Sequence, residues 1–227
     1  MEKESLGIFI YANREQSLES AKRMLTVDLK DLEATVEVDV ASSGWLEVLL
    51  EGDDTEFGLN FLKSKYGSPS KRTKPDTIYG GYIKSVEEEY IVVDIGRNMK
   101  IPVENLINFG AGNAKQIATR FGLIPHFPIK VQLSKDEKTL EFANETVELL
   151  WKWKKSPLDR VIVNSSTRSK IKAAIKKTGH GRDILGVEII GLLENVIVCK
   201  EGTDGPGIVA AIGPLLKSDM GVIKGNR

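Results

Sequence analysis

A proline-containing linker is the feature that most limits how this chain can fold. The segment YGSPSKRTKPD, residues 66–76, contains two prolines, two serines, a glycine and three cations. Such a composition favours turns and supplies few side chains for a core. A chain of 227 residues has room for two or three small units. We therefore expect separate units on either side of the linker.

Residues 1–68 predict an acidic unit of order βαββα. LGIFIYA and WLEVLLEG are dense in apolar residues, and ATVEVDVA alternates valines with polar residues, which is the period of a half-buried strand. Leu18, Ala21 and Leu25 recur at helical spacing between the first two strands. Asp53 and Asp54 begin a second helix, because acids favour the first turn.

Residues 76–135 predict a small, partly open β-barrel. Short apolar strands fit residues 78–84, 90–95 and 99–103, with turns at EEE and GRN. NAKQIATRF then indicates a helix, and PHFPIKVQL supplies a further strand. This succession of short strands is typical of an OB-type barrel.

Residues 136–227 predict a long helix followed by a ferredoxin-like βαββαβ unit. In DEKTLEFANETVELLWKWKK, Leu140, Ala143, Val147 and Leu150 share helical spacing, and Pro157 ends the pattern. The later order of strand, helix, two strands, helix and short strand is the ferredoxin-like one. The predicted fold class is thus α+β, with ferredoxin-like units flanking a small OB-like barrel.

The first and third units also share a short motif. EGDD at 51–54 and EGTD at 201–204 each follow an apolar strand and precede a helix. A duplicated fold explains this echo, and so does a capping solution that both helices use.

Two resemblances follow from these strings. GYIKSVEEEYIVVDIG, KIPVENL and PIKVQL, within about residues 80–134, resemble the OB repeat of the largest bacterial small-subunit ribosomal protein. That likeness implies RNA contact, although an acidic EEE turn stands where the repeat has a glycine-bearing turn. Over nearly its full length, the chain resembles an archaeal family with a domain of unknown function, through GWLEVLLEGDD, FGLIPHFPIKV, TGHGRDILGVEIIGLLE and CKEGTDGPGI. This second likeness implies an archaeal cytoplasmic protein and brings no activity.

The charges are segregated along a chain that is neutral overall. The net charge is −7 for residues 1–66, +4 for 67–135 and +3 for 136–227. Residues 151–182 alone hold ten Lys and Arg against one acid, Asp159. Such a split indicates a polyanionic partner for the basic end and a protein partner for the acidic end.

The basic segment predicts a nucleic-acid site. One face of the predicted helix is formed by Ile171, Ala174, Ile175 and Thr178, so the lysines lie mainly on the rest of its surface. There they can bind phosphates and release the counterions that are condensed on the nucleic acid. The residues expected to contact RNA are Lys152, Lys154, Lys155, Arg168, Lys170, Lys172, Lys176, Lys177, His180 and Arg182. An ordinary solvated helix whose lysines complement its dipole explains part of the pattern as well. At i and i+2, Trp151 and Trp153 cannot share a helical face, so one is expected in the core.

The alternative functions are a small-ligand regulatory module and an adaptor that binds another protein through the acidic surface. Thr203, Asp204, Gly205 and Gly207 lie in the turn GTDGPG, whose backbone N–H groups would suit an anion at a helix start. A plain helix cap explains the same residues, because Asp204 can cap and Pro206 fits the first turn.

Other classes find no support in the sequence. It has two histidines, one cysteine and no catalytic, metal-ligating or cofactor motif, so we expect a non-enzymatic protein without metal or cofactor. Cys199 lies in the apolar string ENVIVCK, which favours a buried packing role. No apolar run approaches the length of a membrane span, and the start of the chain lacks the charge pattern of a secretory signal. A cytoplasmic location is therefore expected.

Overall fold

A computed structural model describes residues 3–226 and contains three antiparallel sheets in series. Within those residues the chain forms twelve strands and six α-helices. The predicted α+β class is confirmed, with the middle sheet curled into a half-barrel of five strands.

The first unit follows the predicted order. Its elements are β1 (Glu4–Phe9), α1 (Arg14–Asp28), β2 (Thr35–Val40), β3 (Trp45–Glu51) and α2 (Thr55–Tyr66). The strands lie in the order β1-β3-β2, and both helices pack on one face of this sheet. That face is apolar because Leu46, Val48 and Leu50 of β3 alternate with more exposed residues and meet Leu25 and Leu62 of the helices.

The middle unit is the half-barrel. Its elements are β4 (Tyr79–Val86), β5 (Tyr90–Asp94), β6 (Asn98–Pro102), a 3-10 helix (Val103–Phe109), α3 (Ala114–Arg120), β7 (Pro128–Leu133), β8 (Leu140–Phe142) and α4 (Asn144–Lys155). The strand order is β6-β5-β4-β7-β8. Helix α3 begins with a capping box, in which Asn113 and Gln116 each accept the other's backbone N–H.

The long helix predicted from residue 136 is wrong in its first third. Leu140–Phe142 is strand β8, paired with β7, and α4 begins only at Asn144. The Asp136 carboxylate accepts the N–H groups of Lys138 and Thr139 and thereby holds a tight turn. Leu140 and Phe142 are then both buried, with the two-residue period of a strand. Leu140 also lies seven residues before Val147, which is a helical spacing, so the sequence pattern alone fits both structures. Residues 136–155 therefore pack with the middle unit.

The third unit is ferredoxin-like. Its elements are β9 (Arg160–Val163), α5 (Arg168–Lys177), a 3-10 turn (His180–Arg182), β10 (Ile184–Ile189), β11 (Asn195–Cys199), α6 (Gly205–Leu216) and β12 (Met220–Ile223). The sheet order is β10-β11-β9-β12, with every pair antiparallel.

Both faces of this third sheet are covered. Val161 and Val163 of β9 pack against Ile171 and Ile175 of α5, on the same face as α6. Ile162, between them, points the other way and belongs to the core of the middle unit. Helices α5 and α4 therefore lie on opposite faces of the sheet.

Candidate functional site

A shallow groove between α5 and β10 holds part of the predicted basic site. The groove encloses about 570 Å³, and its cations are Lys172, Lys176 and Arg182. Lys172 and Lys176 are one helical turn apart, while Arg182 comes from the turn that leads into β10. These three side chains therefore share a surface because helix, turn and edge strand meet at it.

The backbone beside these cations is open to a ligand. A Cβ built on Gly179, Gly181 or Gly186 would meet no atom within 4 Å. Gly179 has φ = 80°, a conformation that suits glycine and ends α5. A bulky anion can approach the main chain closely at this point.

The charges in the groove are not neutralised by carboxylates. Among residues 3–226, no ion pair with Asp or Glu forms at Lys172, Lys176 or Arg182 within 4.0 Å. Glu188 of β10 interacts electrostatically with Arg160, which lies on the face of the sheet away from the groove. The groove thus presents net positive charge to solvent.

The other predicted α5 residues lie around the groove. Arg168 and Lys177 are exposed, and Lys170 Nζ donates to Gln16 Oε1 of the first unit at 2.9 Å. His180 Nδ1 lies 2.8 Å from Asp183 Oδ2. Lys170 and His180 therefore have partners within the protein, while Arg168 and Lys177 extend the basic surface.

The α4 lysines do not join this surface. Lys152, Lys154 and Lys155 lie at the end of α4, which packs through Leu150 and Trp153 on the opposite face of the third sheet. Lys154 Nζ donates to the carbonyl oxygen of Lys224 at 2.8 Å. The ten predicted residues are consequently divided between two surfaces, because α4 and α5 lie on opposite faces of the third sheet.

The two tryptophans of α4 differ as their spacing predicts. Trp153 is buried at 5% exposure. Trp151 is half-buried, packs edge-on against Phe121, and donates Nε1–H to the Asn108 carbonyl at 3.0 Å. Neither ring is a free platform for stacking bases.

The GTDGPG turn is a helix cap. Asp204 accepts the Gly207 N–H at 2.9 Å, and Asp159 accepts the Gly205 N–H at 2.9 Å. Thr203 donates its hydroxyl to the Asp183 carbonyl at 3.2 Å. The donors that the ligand interpretation assigned to an anion are already bound to carboxylates, so the capping interpretation describes this turn.

A buried polar cluster joins all three units, and the sequence did not single it out. The Tyr11 hydroxyl donates to Glu194 Oε1 at 2.6 Å and accepts the Ser165 N–H at 2.9 Å. The Tyr11 ring stacks on His126, with centroids 3.7 Å apart and planes 3° from parallel. Asn164 Nδ2 donates to the Pro125 carbonyl at 2.5 Å. We call Tyr11, His126, Asn164, Ser165 and Glu194 the junction cluster.

Burial controls the ionisation of the junction cluster. Glu194 is 1% exposed, and burial raises the pKa of its carboxyl to about 7. Burial, and then the charge of Glu194, raise the pKa of the Tyr11 phenol far above its usual range. Burial also lowers the pKa of the His126 imidazole, against an opposing effect of Asp219.

The junction cluster connects the three units through hydrogen bonds and ring stacking. His126 and Ser165 have φ of 65° and 63°. Such angles strain the backbone of a residue with a side chain, so the surrounding contacts must stabilise this conformation. Its signal in the sequence was weak: an acid two residues before the apolar run VIVC, and a histidine in an aromatic and proline turn. Only the packing of three distant segments brings these residues together.

No group of three His, Cys, Asp or Glu side chains within residues 3–226 could hold a metal ion. In the same residues, no helix has the length and apolar content to cross a membrane.

Family models match almost the whole chain. The DUF2110 N-terminal domain matches residues 5–72, the DUF2110 central domain residues 73–154, and the DUF2110 C-terminal domain residues 158–224. The chain belongs to the DUF2110 family. The central match of this family extends through β8 and nearly all of α4, which are the elements that pack with the half-barrel. DUF2110 denotes a domain of unknown function, and no curated protein matches the sequence.

Proposed function

We propose that this DUF2110 chain is a non-enzymatic RNA-binding protein that holds phosphates in the groove between α5 and β10. The observation that carries the proposal is the convergence of Lys172, Lys176 and Arg182 on one groove whose backbone is open. Arg suits bidentate phosphate contact, and lysines add point charges along the phosphate backbone. The expected setting is the ribosome or transcription machinery of an archaeal cytoplasm.

The proposed RNA contact is to the phosphate backbone of structured RNA. The residues that line the groove include no aromatic side chain. Recognition of single strands depends on stacking bases on aromatic rings, whereas folded RNA is recognised through shape and phosphates. The negative charge of the first unit would disfavour RNA contact with that unit's own surface.

The test is fluorescence anisotropy with a labelled RNA hairpin across about 50 to 200 mM salt. Replacing Lys172, Lys176 and Arg182 with Glu removes three phosphate contacts. We expect this to weaken binding more than tenfold and to lower the slope of log K against log salt by about 2 to 3 units.

The matched control is Lys152→Glu with Lys155→Glu, which reverses charge on the other side of the third sheet. We expect this control to change the affinity less than about threefold. No detectable hairpin binding at low salt would contradict the proposal. An equal loss in both variants would show general attraction without a defined groove.

A further inference from the structure

A second basic cleft lies between the middle and third units. It encloses about 760 Å³. One wall is α3 with the segment 122–125, and the other is the edge strand β12 with Pro206. The end of α4 closes it through Lys154. The cleft thus lies at the boundary of two units, a common place for small-molecule sites, and its volume is in the usual range for them.

Four cations and no carboxylate line this cleft. The cations are Lys115, Arg120, Lys154 and Lys224. Arg120 donates to the carbonyls of Phe109 and Ala111, at 2.9 and 2.8 Å, and Lys154 donates to a carbonyl as well. These acceptors are neutral, so they orient the two side chains and leave their charges uncompensated.

The remaining two cations are exposed to solvent. Lys115 is exposed and makes no ion pair within residues 3–226. Lys224 Nζ lies 4.0 Å from Asp204 Oδ1, at the limit of an ion pair between exposed groups, and such a pair is weak. Asp204 is committed to capping α6 through Gly207. The cleft therefore has two cations that are oriented by carbonyl groups and two that are exposed.

The floor of the cleft is apolar. Leu123, Ile124, Met220 and Val222 contribute to it, and most of the exposed lining is apolar. Gly122 and Gly221 add no side chain, so their backbones lie in contact at the base. A ligand that satisfies both parts of the site carries several negative charges and an apolar body.

We propose that this cleft binds a nucleoside polyphosphate. The phosphates would meet Lys115, Arg120, Lys154 and Lys224, and the base would lie on the apolar floor. The site is separate from the RNA groove, because it opens on the side of the third sheet that faces α4. Lys154, predicted from the sequence to contact RNA, belongs to this cleft instead.

Thermal unfolding of the full chain with ATP at about 1 mM tests the proposal. We expect ATP to raise Tm by about 3 °C or more, since ligand that binds only the folded state stabilises it. Tripolyphosphate and adenosine separate the two parts of the site, and each alone should give less than half of that shift. No shift with ATP, or an equal shift with tripolyphosphate, overturns the proposal.

Two double variants locate the binding. Lys115→Glu with Lys224→Glu should abolish the ATP shift. Lys22→Glu on α1 with Lys30→Glu just after that helix, both in the first unit, should leave it unchanged. Circular dichroism before each titration shows whether the variants are folded, and the single variant Lys115→Gln replaces the first pair if it is not. An ATP shift that survives in the folded cleft variant overturns the proposal.

RNA binding distinguishes this site from the groove. The variant Lys115→Glu with Lys224→Glu should bind the RNA hairpin as the unchanged chain does, even when its ATP shift is lost. Loss of both activities together would show that the cleft is part of the RNA interface, and the nucleotide proposal would fail. Failure of hairpin binding alone would leave the ATP result unaffected.

Discussion

The first and third sheets share an order of elements but differ in how many of their faces are covered. In the first sheet, β3 alternates buried Leu46, Val48 and Leu50 with partly exposed Glu47 and Leu49, so its second face is only partly covered, at the buried Trp45. In the third sheet, every residue of β11 is buried. The comparison shows that one topology can serve as an outer layer or as an inner layer, according to what packs on its second face.

The two units also close their sheet edges differently. β12 pairs along β9 and forms the edge of the third sheet. The first unit has no fourth strand within its described residues, and the corresponding edge of β1 meets single groups instead. Gly7 donates its N–H to the Gly67 carbonyl at 2.9 Å, and its carbonyl accepts the Tyr82 hydroxyl at 3.3 Å. Gly67 of the first unit and Tyr82 of the middle unit thereby protect an edge that would otherwise be open to pairing.

The largest expected effect tests the covered second face. Ile162→Ala removes a fully buried side chain between the third sheet and the middle unit, and should lower the free energy of unfolding by about 2 to 5 kcal/mol. Leu49→Ala, on the open face of the first sheet, should lower it by less than about 1 kcal/mol. Urea unfolding of both variants measures the difference. Similar losses would mean that the two faces are equally covered.

The next effect tests the cost of burying Glu194 beside the third sheet. Its pKa is raised from 4.5 to about 7, so the folded state resists an ionisation that the unfolded state accepts. Relative to Glu194→Gln, the unchanged chain should lose about 3 kcal/mol of stability as pH rises through this interval, and none below it. Urea unfolding between about pH 4 and 8 measures this difference.

Tyr11→Phe is the control for that pH dependence. The hydrogen bond from Tyr11 lowers the pKa of Glu194, so its removal should move the loss of stability to higher pH. Parallel pH curves for the unchanged chain and Glu194→Gln would show that Glu194 ionises freely in the folded protein.

The smallest effect tests the EGDD and EGTD turns. Asp204 caps α6, whereas Asp54 makes no cap bond to α2 and instead accepts the Glu33 N–H at 2.8 Å. Ala at either position should cost about 1 kcal/mol. Ser should restore stability at 204, because it is a good cap, and should fail at 54, where the shorter side chain does not reach Glu33. Rescue at both positions would mean that the turns share a capping role.

Local pattern determined much of this protein. The period-2 valines of β2, the helical stripe of α5 and the βαββαβ order of the third unit are all readable along the chain, because neighbouring residues decide which side of an element is apolar. The same locality explains the error at Leu140–Phe142. A short apolar alternation next to a helix fits both periods, and only pairing with β7 makes it a strand.

Tertiary structure alone decided which functional groups meet. The lysines of α4 and α5 are close in sequence and lie on opposite faces of the third sheet, while Tyr11, His126 and Glu194 are far apart in sequence and in contact. The physical reason is that the second face of a sheet becomes buried only when another unit packs against it. Charge can be counted from the sequence, but its compensation and its burial depend on that long-range packing.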